Sequence, residues 1–246
     1  MSIGSWLLVE LGGSAAQTVQ RDTQGRFWFS PGIVREPGRP VALACPGLIR
    51  EGRVLYASNL GWPDDADPAQ ELGLARIAIL ANDAHAAGLG EAVLRAGGTP
   101  DVDLVYITLG TGVGDALVVD GAVQAWNFAH HFVGGSQYCT GCRSTGCLNA
   151  YLCAQALPRP LSTDDCAAVA GRLASTLTEL AVDPHLLVVL GGGIARRYPA
   201  IATTLADRIP NRVELTAIPA EAKSAAYAGL DYLARLPSLQ QKQRAR

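Results

Sequence analysis

The chain has 246 residues, 49% hydrophobic and 17% charged, enough for a buried core in one large or two small domains. A net charge of -2, a pI near 6.1 and the lack of an internal basic block give nucleic acid or an anionic membrane surface no electrostatic purchase. No apolar run reaches the roughly 20 residues of a bilayer span, and the first has no basic lead, so a cytoplasmic protein without a leader is expected.

The apolar run 6–9 meets Glu10 and then Gly12, Gly13 and Ser14, which reads as a buried strand breaking into a tight turn. Strand-turn-strand follows to residue 29, with its turn at 23–26, and another strand covers 41–45. Helices are predicted over 67–72 and 83–96, the second beginning at Asp83. Gly97, Gly98 and Pro100 mark the best domain boundary. The run 104–109 enters Gly110, Thr111 and Gly112, and the run 186–190 enters Gly191, Gly192 and Gly193. Further helices are predicted over 148–156, 163–181, 199–208 and 220–236, and the basic tail 242–246 reads as a frayed end. The alternation is α/β.

Each glycine group lets backbone amides approach a phosphate or a nucleotide ring. Phosphoryl transfer to a hydroxyl asks mainly for positioning, charge neutralisation and one carboxylate to take the proton, and Asp83 is the candidate. Cys139, Cys142 and Cys147 fall within nine residues of one another, just after His130 and His131. Three thiolates and one imidazole fit a closed tetrahedral zinc site, with Gly141 and Gly146 letting the loop wrap the ion. Cys45, Cys153 and Cys166 have apolar surroundings and read as small core residues.

Taken in this order, the segments resemble the ROK family of sugar kinases and repressors within the hexokinase/actin superfamily. Pro46-Gly47, Ser58 to Trp62 and Ala81 to Glu91 look like that family's sugar-side and catalytic stretches, and Leu190 to Ile194 like its adenosine motif. Cys142 to Cys147 matches its cysteine signature, although Cys139 and Cys142 stand one residue further apart than usual. The resemblance implies two RNase H-like domains with a nucleotide cleft between them. Residues 1–100 would carry the first phosphate turn and sugar side, residues 101–221 the zinc loop and adenosine motif, and a helix at 222–236 would return to the first domain.

The resemblance also assigns roles. Asn59, Asn82 and Asp83 would meet a sugar hydroxyl, and His130, ahead of His131, would bind both zinc and sugar. Glu10 stands where the family has an aspartate and would order magnesium through water. Asn127 and Asn149 stand where the family has glutamates, which makes plain glucose a less secure substrate than a modified or amino sugar or a cyclitol. Ala15 stands where a lysine often follows the turn, which removes a cation from the phosphates. The implied activity is ATP- and magnesium-dependent phosphorylation of a sugar-like hydroxyl, with structural zinc and no nucleic acid or membrane partner. The resemblance also allows a homodimer. The alternative is a non-catalytic sugar or metabolite sensor. The family's repressors add an N-terminal DNA-binding domain, for which a first strand starting near Trp6 leaves no room, and a sensor has no need of Asp83.

Overall fold

The computed structural model describes residues 6–13 and 15–236; Ser14 and the tail at 242–246 lie outside the described residues. The first three strands, β1 (Leu7–Leu11), β2 (Ala16–Arg21) and β3 (Phe27–Pro31), form an antiparallel meander. β1 is buried along its whole length, as its unbroken apolar run requires, because β4 (Val41–Cys45) flanks it in parallel on the other side. After a separate hairpin, β5 (Leu48–Arg50) with β6 (Arg53–Tyr56), and the short helix α1 (Pro68–Glu71), strand β7 (Ile77–Asn82) completes the sheet in the order β3-β2-β1-β4-β7. Helix α2 (Asp83–Arg95) follows without a gap.

The second half repeats this order. β8 (Leu104–Leu109), β9 (Val113–Val119) and β10 (Ala122–Gln124) form a second antiparallel meander. The chain then leaves the sheet for a loop holding β11 (Tyr138–Cys139), β12 (Ser144–Thr145) and α3 (Leu148–Leu152). Helix α4 (Thr163–Glu179) begins with a capping box between Ser162 and Asp165 and leads to β13 (Leu187–Gly191), parallel to β8. Helices α5 (Gly192–Arg197) and α6 (Ala200–Ala206), strand β14 (Val213–Leu215) and helix α7 (Ala226–Arg235) close the fold, with the second sheet ordered β10-β9-β8-β13-β14. In both sheets the first strand pairs antiparallel with the second and parallel with the fourth in the order. The two glycine turns therefore occupy the same topological place, the hairpin between the first and second strands.

Two expectations change. The helix predicted over 220–236 is confined to α7, because residues 219–225 form turns ahead of it. The helix predicted over 148–156 stops at Leu152.

Helices α2 and α7 form the layers between the sheets. α7 packs on β1, β4 and β7, α2 packs on β8 and β9, and the two helices pack on each other. Leu8, Tyr106 and Leu230 belong to one continuous core as a result. The helices cross in backbone contact: a Cβ at Gly90 would strike the Ala225 carbonyl and one at Gly229 the Ala86 carbonyl. This tight crossing sets the N-terminus of α2, and with it Asp83, between the two halves.

Candidate active site

β1, β4 and β7 run parallel, and the register Glu10↔Ala44 and Cys45↔Asn82 places Glu10, Cys45 and Asn82 at their carboxyl ends. That edge of an open α/β sheet is where loops leave room for a ligand. Asp83, the first residue of α2, accepts a hydrogen bond from the Ala84 amide at 2.9 Å. Its carboxyl pKa is pushed up to about 6, chiefly by desolvation and then by the nearby Glu10 charge, with Lys223 opposing. A carboxylate that is ionised at neutral pH but holds its proton more tightly than an exposed one suits a general base.

Asn82, expected to meet a sugar hydroxyl, makes three hydrogen bonds within the protein. Its Oδ1 accepts from the Ala84 and His85 amides at 2.9 and 3.1 Å, and its Nδ2 donates to the Gly47 carbonyl at 3.1 Å. It is the cap of α2 and a tie to the Pro46-Gly47 turn, so most of its hydrogen-bonding capacity is spent on holding Asp83 in place.

The two hairpin turns meet. A Cβ at Gly13 would stand 3.0 Å from Thr111 Cγ2 and 3.2 Å from Asn59 Cβ. A Cβ at Gly112 would lie 3.8 Å from Asn59 Nδ2. Asn59 is thus an exposed amide at the junction of both turns. Gly110 donates to the Gly112 carbonyl at 2.9 Å, which closes the second turn. At the third glycine group the positions divide. Gly192 has φ +85° and its Cβ would strike the Leu109 carbonyl, Gly191 abuts the Tyr106 hydroxyl, and a Cβ on Gly193 would meet nothing within 4 Å.

Glu10 is buried at the end of β1, and burial raises its carboxyl pKa while Lys223 and Ser224 lower it. Lys223 Nζ stands 3.4 Å from Glu10 Oε1. Sequence reasoning missed Lys223, although one of only two lysines in an arginine-rich chain was a signal it could have taken. It also missed Asp115, which follows the second turn directly. Asp115 accepts from the Ala129 amide at 2.8 Å, and its charge acts on His85 and His130.

His130 Nδ1 lies 3.8 Å from Cys139 Sγ and 3.6 Å from Cys147 Sγ, and Cys142 Sγ lies 3.7 Å from Cys147 Sγ. Two thiolates on one tetrahedral zinc, each at about 2.3 Å, stand about 3.8 Å apart, and a thiolate and an imidazole about 3.6 Å apart. The four donor atoms, all within 4.8 Å of one another, therefore already have the spacing of a zinc shell. Thiols at these separations are far from the roughly 2 Å of a disulfide. The geometry also separates the two histidines, since His131 Nε2 faces away to Glu179 Oε2 at 3.0 Å. The loop closes through Gly146, at φ +76°, where a Cβ would strike Phe132 and the Gly135 carbonyl. Gly141 leaves room for His130, whose Cε1 would stand 3.0 Å from a Cβ there.

Asn149 requires a correction. Expected to face the sugar, it is buried; its Oδ1 accepts from the Val113 amide at 2.6 Å and its Nδ2 donates to Cys139 Sγ at 3.0 Å. One carboxamide joins the second glycine turn to the zinc loop. A glutamate could accept from Val113 but could not donate to the thiolate, which explains an amide at this position without reference to substrate. Asn127 is exposed.

A family model described as the ROK family matches residues 34–178. The polyphosphate glucokinase of Mycobacterium tuberculosis (strain CDC 1551 / Oshkosh) is 35% identical over 125 residues, 50% of this chain and 45% of that protein. The N-acetylmannosamine kinase of Escherichia coli O1:K1 / APEC is 34% identical over 155 residues, 57% of this chain and 51% of that protein. The chain thus aligns with about half the length of these curated relatives. Among solved structures, the inorganic polyphosphate/ATP-glucomannokinase of Arthrobacter sp. strain KM superposes with a TM-score of 0.68 at 21% identity, over 96% of this chain and 98% of that one. A glucokinase from Streptomyces griseus, crystallised with glucose and AMPPNP, superposes with a TM-score of 0.69 at 20% identity, over 93% of this chain and 99% of that one. These likenesses establish the two-domain actin/hexokinase-type fold. Among the described residues, no helix is long and apolar enough to cross a membrane.

Proposed function

The chain belongs to the ROK family, and from that premise we propose that it is an ATP-dependent kinase for a hydroxyl of a hexose, a modified or amino sugar, or a cyclitol. The observation that carries this reading is the placement of Asp83, a carboxylate at the first position of α2, fixed by the Asn82 cap beside it and pushed up to a pKa of about 6 by burial. A sensor has no need of such a group. Asp83 takes the proton of the acceptor hydroxyl as the hydroxyl oxygen attacks the γ-phosphorus, and ADP leaves. The amides around Gly12 and Gly13 and around Gly110, Thr111 and Gly112 receive the phosphates, and the open face of Gly193 receives the adenosine. The assignment of Ser14 to the same phosphate site goes with this reading.

Magnesium bound with ATP would neutralise phosphate charge, and Glu10 is the carboxylate placed to order it through water. His130, Cys139, Cys142 and Cys147 would hold a structural zinc that fixes the loop without entering the chemistry. Asn59, Asn127 and His130 would supply the acceptor contacts, and Asn82 positions the base. The halves divide near residue 100, with α7 returning to the first. Closure of the halves excludes water from the transfer.

The test is a coupled nucleotide-consumption screen over hexoses, amino sugars and cyclitols, with mass detection of the phosphorylated product. ATP consumption that no acceptor stimulates would remove the kinase reading.

A further inference from the structure

Of the 20 basic residues in the chain, only two are lysines, Lys223 and Lys242. Lys242 lies outside the described residues, and Lys223 stands in the turn ahead of α7, against Glu10 and the first glycine turn. Its backbone is clamped to the first sheet through one side chain. Gln17 Oε1 accepts from the Lys223 amide at 2.9 Å, and Gln17 Nε2 donates to the Glu221 carbonyl at 2.6 Å. Its ammonium is 3.4 Å from the carboxylate of Glu10, whose side chain is 8% exposed while that of Lys223 is 28% exposed. The ammonium also fills the space where a side chain on residue 12 would begin, directly at the first glycine turn.

We propose that Lys223 binds the terminal phosphates of the nucleotide, supplying from the other end of the chain the cation that Ala15 does not provide. The assignment rests on the kinase reading above and adds to it a residue that no glycine motif contains. An ammonium has three N–H donors, and Glu10 engages it from the buried side, so the others are left for a ligand in the cleft. Glu10 also holds the long side chain extended before any phosphate arrives, which lowers the ordering cost of binding. Arginine is the cation at every other described basic position, and at the turn the chain uses the compact ammonium, which can sit over a glycine as a point charge. Gly12 is required for the same reason, since any larger residue would displace the ammonium.

The experiment compares ATP with AMP, which lacks the terminal phosphates, by calorimetric titration of wild type, Lys223→Met and Lys223→Arg, alongside the nucleotide KM and kcat. Lys223→Met is expected to weaken ATP by about 10- to 100-fold, as for loss of one charge-assisted hydrogen bond, and to leave AMP within about two-fold. Lys223→Arg should recover part of the loss, and Ala15→Lys in the Met background should recover more. Should Lys223→Met fail to fold because Glu10 is left buried and unpaired, the Glu10→Gln/Lys223→Met double variant is measured against Glu10→Gln alone. ATP and AMP affinities that stay unchanged, or that fall equally, overturn the assignment while leaving the kinase reading in place. Wild-type protein that neither binds ATP nor transfers phosphate overturns both.

Discussion

The guanidinium of Arg143 stands 3.6 Å from the ring centroid of Tyr56, which joins the zinc loop to the β5–β6 hairpin. Tyr56 also donates its hydroxyl to the Thr140 carbonyl at 2.6 Å, and Arg143 pairs with Asp64 at 2.6 Å. The loop from the second half thus grips the β5–β6 segment of the first. Arg143→Ala should leave the melting temperature nearly unchanged, because exposed ion pairs contribute little. It should nonetheless speed amide exchange over residues 140–146 and raise the acceptor KM. Unchanged exchange in that loop would show that the contact does not hold it.

Asp83→Asn should lower kcat by about 100- to 10,000-fold, the usual loss with a general base, while nucleotide affinity stays near wild type. The same substitution should stabilise the protein. Folding raises the carboxyl pKa from 3.8 to about 6, so Asp83 favours the folded state below its unfolded value, and that contribution is lost as pH rises through the folded one. At neutral pH the amide removes a cost of about 1 to 3 kcal/mol, and the difference should vanish near pH 4. Thermal melts of both proteins across that range read the crossover directly. Wild-type kcat/KM should fall as pH drops below about 6, where the base becomes protonated. An Asn variant with near wild-type turnover would show that the base lies elsewhere.

Elemental analysis should find about one zinc per chain, and Cys142→Ser should lose the metal together with stability, since closing this loop is coupled to binding. Asn149→Leu keeps the branching and heavy-atom count but removes both hydrogen bonds, and should weaken zinc by about 10- to 100-fold as loss of an outer-shell partner does. Because the same amide holds Val113, the nucleotide KM should rise as well. A change in metal affinity with no change in KM would uncouple loop from turn.

Asn127 and Asn149 should now separate in their effect on specificity. Asn127→Glu should shift the kcat/KM ratio between glucose and the best analogue by about 10-fold if the bound sugar shields that position from water. Asn149→Glu should damage stability and metal content instead, because it places a carboxylate against the Cys139 sulfur. A flat substrate ratio in folded, zinc-loaded Asn127→Glu would remove that residue from specificity.

The third glycine group, proposed to receive the adenosine, offers a comparison between neighbours. Gly192→Ala forces a Cβ into the Leu109 carbonyl at a positive φ and should lower the melting temperature markedly. Gly193→Val enters open space and should leave stability close to wild type while weakening ATP. Equal ATP affinity in a folded Gly193→Val would place the adenosine elsewhere.

Much of the site is legible in the sequence because its parts are local. A glycine pair after an apolar run is a turn wherever it occurs, the alanine-rich stretch from Asp83 reads as a helix by its own spacing, and three cysteines on one loop need no distant partner to suggest a metal. What the sequence could not decide was which distant groups meet at those places. His130 and His131 are equivalent by spacing, and packing alone turned one to the sulfurs and the other to Glu179. Asn149 looked like a free amide until the fold brought Val113 to one end and Cys139 to the other. Lys223 carries no motif, and only the packing of α7 on β1 brings the turn before it to Glu10 and Gly12. Backbone propensity and side-chain spacing act over a few residues and are written in order along the chain, whereas charge pairing and hydrogen bonding act across the few ångströms that sheet register and helix crossing create.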